Sequence, residues 1–242
     1  MQLVHALIYR KSFPLGKSRW LSAFGCGEPG SLDALLNHAT RLPKVLELVD
    51  RHCSVEKPAR SDGALLSNLL VLEKSLTGWL DDYYRNTGHT YSYSTARNRF
   101  AGGEKETVID FDSFLSFNFH SLYWICQILL HSAILHLVSS RREQGCMSSD
   151  FAATSRRFAD RYAALLRQSV DYVLSIESGN VARASSISLP LYVLRLWYEK
   201  SCQHEKADEC VAIESSMRLA NPALVWDAML PWTFTTLMWL AE

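Results

Sequence analysis

Six cysteines and eight histidines are the residues of this chain best suited to hold a metal or attack a substrate, so their spacing is the first test. The cysteines fall at Cys26, Cys53, Cys126, Cys146, Cys202 and Cys210. A structural zinc site needs two thiolates roughly two to four residues apart, close enough for one turn to present both. The closest pair here, Cys202 and Cys210, is eight residues apart, so no such turn exists. The chain is also large and apolar enough to fold without a disulfide framework. Scattered, reduced cysteines of an intracellular protein are therefore expected.

The histidines fare no better as ligands. His120 and His131 are separated by about three helical turns, so they share a face but cannot share an ion. His131 and His136 diverge by roughly 140° around a helix. Histidines satisfied in a core or groove are expected. His204-Glu205-Lys206-Ala207-Asp208 begins like a zinc-protease helix, but Asp208 stands where the second imidazole must be. Asp81 and Asp82 are adjacent, and neighbouring carboxylates on a helix point apart, so they make no catalytic dyad. Arg141-Arg142 and Arg156-Arg157 are short basic spots on the surface. Neither a dinucleotide fingerprint nor a Walker phosphate loop occurs, and Gly102-Gly103-Glu104-Lys105 is only a loop tip. A serine-hydrolase elbow is missing too. No catalytic, cofactor-binding or metal-ligating residue is assigned, and no cofactor is expected.

Composition narrows the partners. Lysine plus arginine and aspartate plus glutamate each number 25, which gives zero formal net charge. Binding along a nucleic-acid backbone needs a cationic surplus, and the chain as a whole has none. Hydrophobic residues make up 48% and charged residues 21%, which places the chain among folded rather than disordered proteins. Met1 to Phe13, with His5, Arg10 and Lys11, lacks the cleavage site of a secretory signal.

The elements that must position these side chains read as helices. Gln2 to Tyr9 is short and apolar. Gly25 to Gly30 is a loop, and Ser31 can cap a helix carrying Leu32, Leu35, Leu36, Ala39 and Leu42. Pro43 is expected to kink or restart that helix before Val45, Leu46 and Val49 continue it. A linker is expected at 57–61. Asp62 opens the clearest amphipathic stretch, with Leu65, Leu69, Leu72, Leu76, Trp79 and Tyr83 in one stripe and Asn86-Thr87-Gly88 as its stop. The polar segment 89–107 reads as a long exposed loop.

Phe114 to Val138 contains no glycine, proline or formal charge, so it meets the length and polarity of a membrane span. Asn118, His120, Gln127, His131 and His136 are distributed along it, which favours a central helix buried in protein. Later helices are expected from Ser148-Ser149-Asp150 to about Ser175, from Leu189-Pro190-Leu191 to about Cys202, and from Lys206 to Arg218. A sustained two-residue alternation bounded by hairpin signals is not apparent, so strands have little support. The expected fold is all-α, a multi-helix bundle or array of helical hairpins in one domain, residues 1–242. The aromatic stripes around Phe114, Phe117, Tyr123, Trp124, Trp197 and Tyr198 read as core, with a ligand pocket near Trp124 or Trp197 as the alternative.

The order of several motifs resembles a family. Tyr9-Arg10-Lys11-Ser12-Phe13-Pro14-Leu15, Ser18-Arg19-Trp20, Ser31-Leu32-Asp33-Ala34-Leu35-Leu36 and Leu42-Pro43 follow the succession found in fungal-specific transcription factor domains. Leu76-Thr77-Gly78-Trp79-Leu80 is similar to that family's tryptophan-bearing helix. Trp124 and Leu129-Leu130-His131 are similar to its long apolar helix, and Leu189-Pro190-Leu191-Tyr192-Val193 to a late one. The resemblance covers roughly residues 8 to 200, and its motifs are apolar. It implies a nuclear regulatory domain of a binuclear zinc-cluster transcription regulator, contacting protein co-regulators and responding to a small-molecule effector. It carries no catalytic residues. The six cysteines depart from the tight clusters of the family's DNA-binding head, so DNA contact is expected only through a head not present in this sequence. A fragment, a truncated gene product and a headless relative are all compatible with that. The competing readings are a stand-alone helical small-molecule-binding protein, an enzyme of an unfamiliar all-helical class, and a membrane protein using Phe114 to Val138.

Overall fold

A computed structural model describes residues 2–10, 28–54, 62–88, 91–97, 105–142, 149–175 and 186–220. The expected linker 57–61, the Ser18-Arg19-Trp20 motif and the stretch 221–242 lie outside the described residues. The fold is all-α apart from one small hairpin. In chain order the elements are α1 (Gln2–Tyr9), α2 (Leu32–Cys53), α3 (Asp62–Thr87), β1 (Tyr91–Arg97) and β2 (Lys105–Phe111). They are followed by α4 (Phe114–Arg142), α5 (Ser149–Ser175), α6 (Ser188–Lys200) and α7 (His204–Ala220). The chain divides into two compact units, Met1–His89 with Cys126–Tyr162, and Thr90–Ile125 with Ala163–Glu242. The long helices α4 and α5 each contribute residues to both.

In the first unit α1 packs on α2 and α2 on α3. Ser31 caps α2 as expected, its Oγ accepting from the Ala34 N–H at 3.3 Å. Leu35, Ala39, Leu42, Leu46 and Val49 are buried, the i, i+3, i+4 stripe of an amphipathic helix. α2 continues through Pro43 to Cys53 and does not restart there. Proline removes one amide donor from the ladder, and here the buried leucines on both sides of Pro43 hold the two halves in place.

The α3 stripe is also as expected, with Leu65, Leu69, Leu72, Leu76, Trp79 and Tyr83 all buried. Against it sits the turn before α2. Trp79 Nε1 donates to the Ser31 carbonyl at 2.8 Å, and Asn86 Nδ2 donates to the Pro29 carbonyl at 2.6 Å. Gly30 adopts φ +79°, and a Cβ there would lie 2.6 Å from the Tyr83 amide nitrogen. Only glycine accommodates both the left-handed backbone and that approach. The other tie in this unit is Arg10, which is buried and ion-paired with Asp50, its Nε donating to Oδ2 at 2.8 Å and its Nη2 lying 2.7 Å from Oδ1. Burial lowers its guanidinium to about 10 against the opposing pull of Asp50, which leaves it charged at neutral pH.

The second unit corrects two expectations. The segment 89–107, read as an exposed loop, contains β1 and the start of β2, and strands are therefore present. The pair is antiparallel, with Tyr91 opposite Phe111 and Tyr93 opposite Ile109. Composition misled because serines separate the tyrosines. The pair persists because Val108, Ile109 and Phe111 are buried, and a two-stranded hairpin needs such packing to hold.

α6 packs on α7. Pro190 sits in the first turn of α6, where its missing N–H has no intrahelical partner to lose. Cys202 takes φ 58° just past the helix end, while the Gln203 N–H reaches the Tyr198 carbonyl at 2.8 Å. Arg167 of α5 is buried and bonds Asp171 at 3.1 Å and Glu209 of α7.

α4 is capped by Ser113, whose Oγ accepts from the Ser116 N–H at 3.1 Å. By length and composition the segment Phe114–Ser140 could cross a bilayer. Of its most apolar window, 78% is buried inside the protein, so packing occupies the surface that lipid would need.

Candidate functional site

The two buried histidines of α4 occupy contrasting environments. In the second unit His120 is fully buried. Its Nδ1–H donates to the Ser116 carbonyl at 2.8 Å, a bond that sets the tautomer. Aromatic rings surround it: Tyr91 edge-on at 5.0 Å, Trp124 at 5.5 Å and Phe111 at 5.6 Å between centroids. Phe111 in turn meets Phe117 and Tyr172 at 5.6 and 5.1 Å. Burial lowers the His120 pKa, opposed by the Ser116 bond and the Asp112 charge. These rings form an aromatic core packed on the strand pair. Trp124, where a ligand pocket was the alternative expectation, is 2% exposed and enclosed by these rings. Trp197 is likewise buried.

His131, in the first unit, is the exception. It is 4% exposed, and neither Nδ1 nor Nε2 has a hydrogen-bond partner. Its ring lies nearly parallel to those of Phe158, at 5.2 Å and 19°, and Tyr162, at 6.1 Å and 16°, one turn apart on α5. Burial without compensation pushes its pKa down to about 4, so the ring is neutral under ordinary conditions. The expectation of satisfied core histidines therefore holds for His120 and is overturned for His131. Buried polar atoms are nearly always paired, and leaving them unpaired costs about 1–3 kcal/mol. Phe158 is 39% exposed, so His131 lies one side chain beneath the surface.

Other sequence candidates are not brought together. Among the described residues no group of three His, Cys, Asp or Glu is placed to hold a metal. His204 and Asp208 are exposed on α7. Asp82 pairs with Arg85 at 2.5 Å on the surface of α3, while Asp81 is exposed. Arg156 and Arg157 are exposed on α5. Cys53, Cys126, Cys202 and Cys210 are free thiols. Burial pushes Cys126 and Cys210 up to about 12, which keeps them protonated and poorly nucleophilic. Gly102, Gly103, Glu104, Cys26 and Cys146 lie outside the described residues.

Sequence reasoning missed the His131 site because its three rings come from two helices and no local motif joins them. The sole sequence signal was Phe158 and Tyr162 at i, i+4, which reads equally well as core. In comparisons with protein-family models, curated proteins and solved structures, the chain matches none of them.

Proposed function

We propose that the chain is the regulatory domain of a fungal zinc-cluster-type transcription regulator, a non-enzymatic nuclear module that acts through protein co-regulators. DNA is contacted only through a zinc-cluster head outside this sequence. One observation supports the reading: several of the motifs that resemble the family fall, in order, on the buried faces of four helices. Leu35 and Leu42 are buried on α2, Leu76 and Trp79 on α3, Trp124 and Leu130 on α4, and Leu191 and Val193 on α6. Such apolar motifs specify a fold more than a site, which suits a domain that relays rather than reacts. The balanced charge supports a role at protein rather than nucleic-acid surfaces.

The test is chromatin association of the tagged native protein in its host, with the upstream gene region sequenced in parallel. Recruitment to specific promoters, together with a zinc cluster encoded on the same chain, is the expected result. A protein that lacks that head and never reaches chromatin would overturn the reading.

A further inference from the structure

His131 is a buried polar group that the packing does not explain. A phenylalanine at that position would stack on Phe158 and Tyr162 equally well, with no hydrogen bond left unmade. His120 shows what a structural histidine looks like in this fold: equally buried, equally ringed by aromatics, but bonded through Nδ1 to a carbonyl. His131 presents one donor and one acceptor, as any neutral imidazole does, and uses neither.

We propose that His131, Phe158 and Tyr162 form a closed binding site for a small, neutral, planar molecule that hydrogen-bonds one nitrogen of the imidazole through a donor or an acceptor, with Phe158 as its displaceable cover. Each attribute follows from the geometry. Bonds to an imidazole edge lie near the plane of the ring. A planar molecule bonded at that edge is therefore held in the plane of His131. Because the Tyr162 ring lies within 16° of that plane, the same molecule lies parallel to it and can stack on it once Phe158 has turned away. Neutrality follows from burial, which is the one influence acting on the His131 ring, with no charged neighbour beside it to balance an ion. Phe158 is the exposed member of the trio, so turning its side chain into solvent opens a path to the imidazole. Aromatic carboxamides and cyclic lactams have this chemistry. The inference goes beyond the proposed regulatory role and stands without it, because it concerns binding alone.

The experiment uses the full chain labelled with 15N, observed through its imidazole nitrogens. The probes are benzamide, nicotinamide and 2-pyridone at millimolar concentration. Benzoate tests charge, toluene tests hydrogen bonding and cyclohexanecarboxamide tests planarity. At least one of the first three should shift the His131 nitrogens, leave those of His120 in place and raise the melting temperature, while the controls do none of these. His131→Phe should keep or raise the melting temperature and weaken binding at least tenfold. Phe158→Ala should preserve binding or tighten it severalfold. No response of His131 to all three probes, in the native chain and in Phe158→Ala, overturns the proposal, and so does undiminished binding by His131→Phe. Chromatin recruitment is read separately, so either idea can fail while the other stands.

Discussion

His120 and His131 lie on one helix, yet the regions around them bury polarity in opposite ways. Around His120 the hairpin, the start of α4 and Tyr172 close a set of interlocking rings, and the imidazole is tied to a backbone carbonyl. Around His131 the rings are parallel rather than interlocked, one is exposed, and neither nitrogen is used. The first arrangement stabilises the fold. The second costs stability and leaves binding capacity unspent. Burial and aromatic company alone therefore do not identify a structural histidine; the fate of its two nitrogens does.

The largest expected effect tests whether the His120 region is a true core. Trp124→Ala removes a ring that meets Tyr91, Phe111 and His120, and a cavity of that size costs about 3–5 kcal/mol. Urea unfolding at pH 7 measures it. A loss below about 1 kcal/mol would mean that the ring set is loosely packed, and the contrast with His131 would collapse.

Acid separates the two regions next. The His131 imidazole falls from the ordinary 6.5 to about 4 in the folded chain. Above about pH 6.5 it is neutral in both states and stability is at its full value. As pH falls below that, the unfolded chain takes the proton first and stability declines, until the folded chain also binds it near pH 4. The full span corresponds to about 3 kcal/mol. Urea midpoints at pH 7, 5.5 and 4.5 should fall further for the native chain than for His131→Phe, and the difference isolates this one group. Equal slopes would show that the ring is not held neutral by burial.

At pH 7 the paired substitutions should differ in sign. His120→Phe gives up the bond to Ser116 and is expected to lose about 1 kcal/mol. His131→Phe gives up nothing and is expected to gain about 1 kcal/mol, the relief of two unpaired nitrogens offset in part by the larger ring. A loss at His131 would show that its nitrogens are partnered in solution.

What the sequence disclosed follows from how local each signal is. Ser31 before Leu32 is a cap by residue type alone, and the Leu65 to Tyr83 stripe is a helix by spacing alone. The burial of the apolar run from Phe114 was legible because its polar residues are spread along it. β1 was not legible: Tyr91 and Tyr93 do alternate with serines, but the strand depends on a partner more than ten residues away and on rings from α4. The contrast between the histidines lay furthest from view, since whether an imidazole finds an acceptor is decided by neighbours, not by its own residue type.

The smallest expected effect on stability falls at the ring covering His131. Phe158 is already 39% exposed, so Phe158→Ala removes only part of a buried side chain and places a stronger helix former on α5. The net change should stay under about 1 kcal/mol. Accessibility is where the substitution should act. Acylation of histidine nitrogens by diethyl pyrocarbonate, followed by mass spectrometry of the peptides, should show His131 reacting severalfold faster in the variant, while His120 stays unreactive behind Tyr91, Phe111 and Trp124. The neutral imidazole is the nucleophile in that reaction, and at pH 7 both rings are neutral, so the difference reports access and not charge. If His131 stays as slow as His120, Phe158 is not its cover, and the two regions are closed to the same degree.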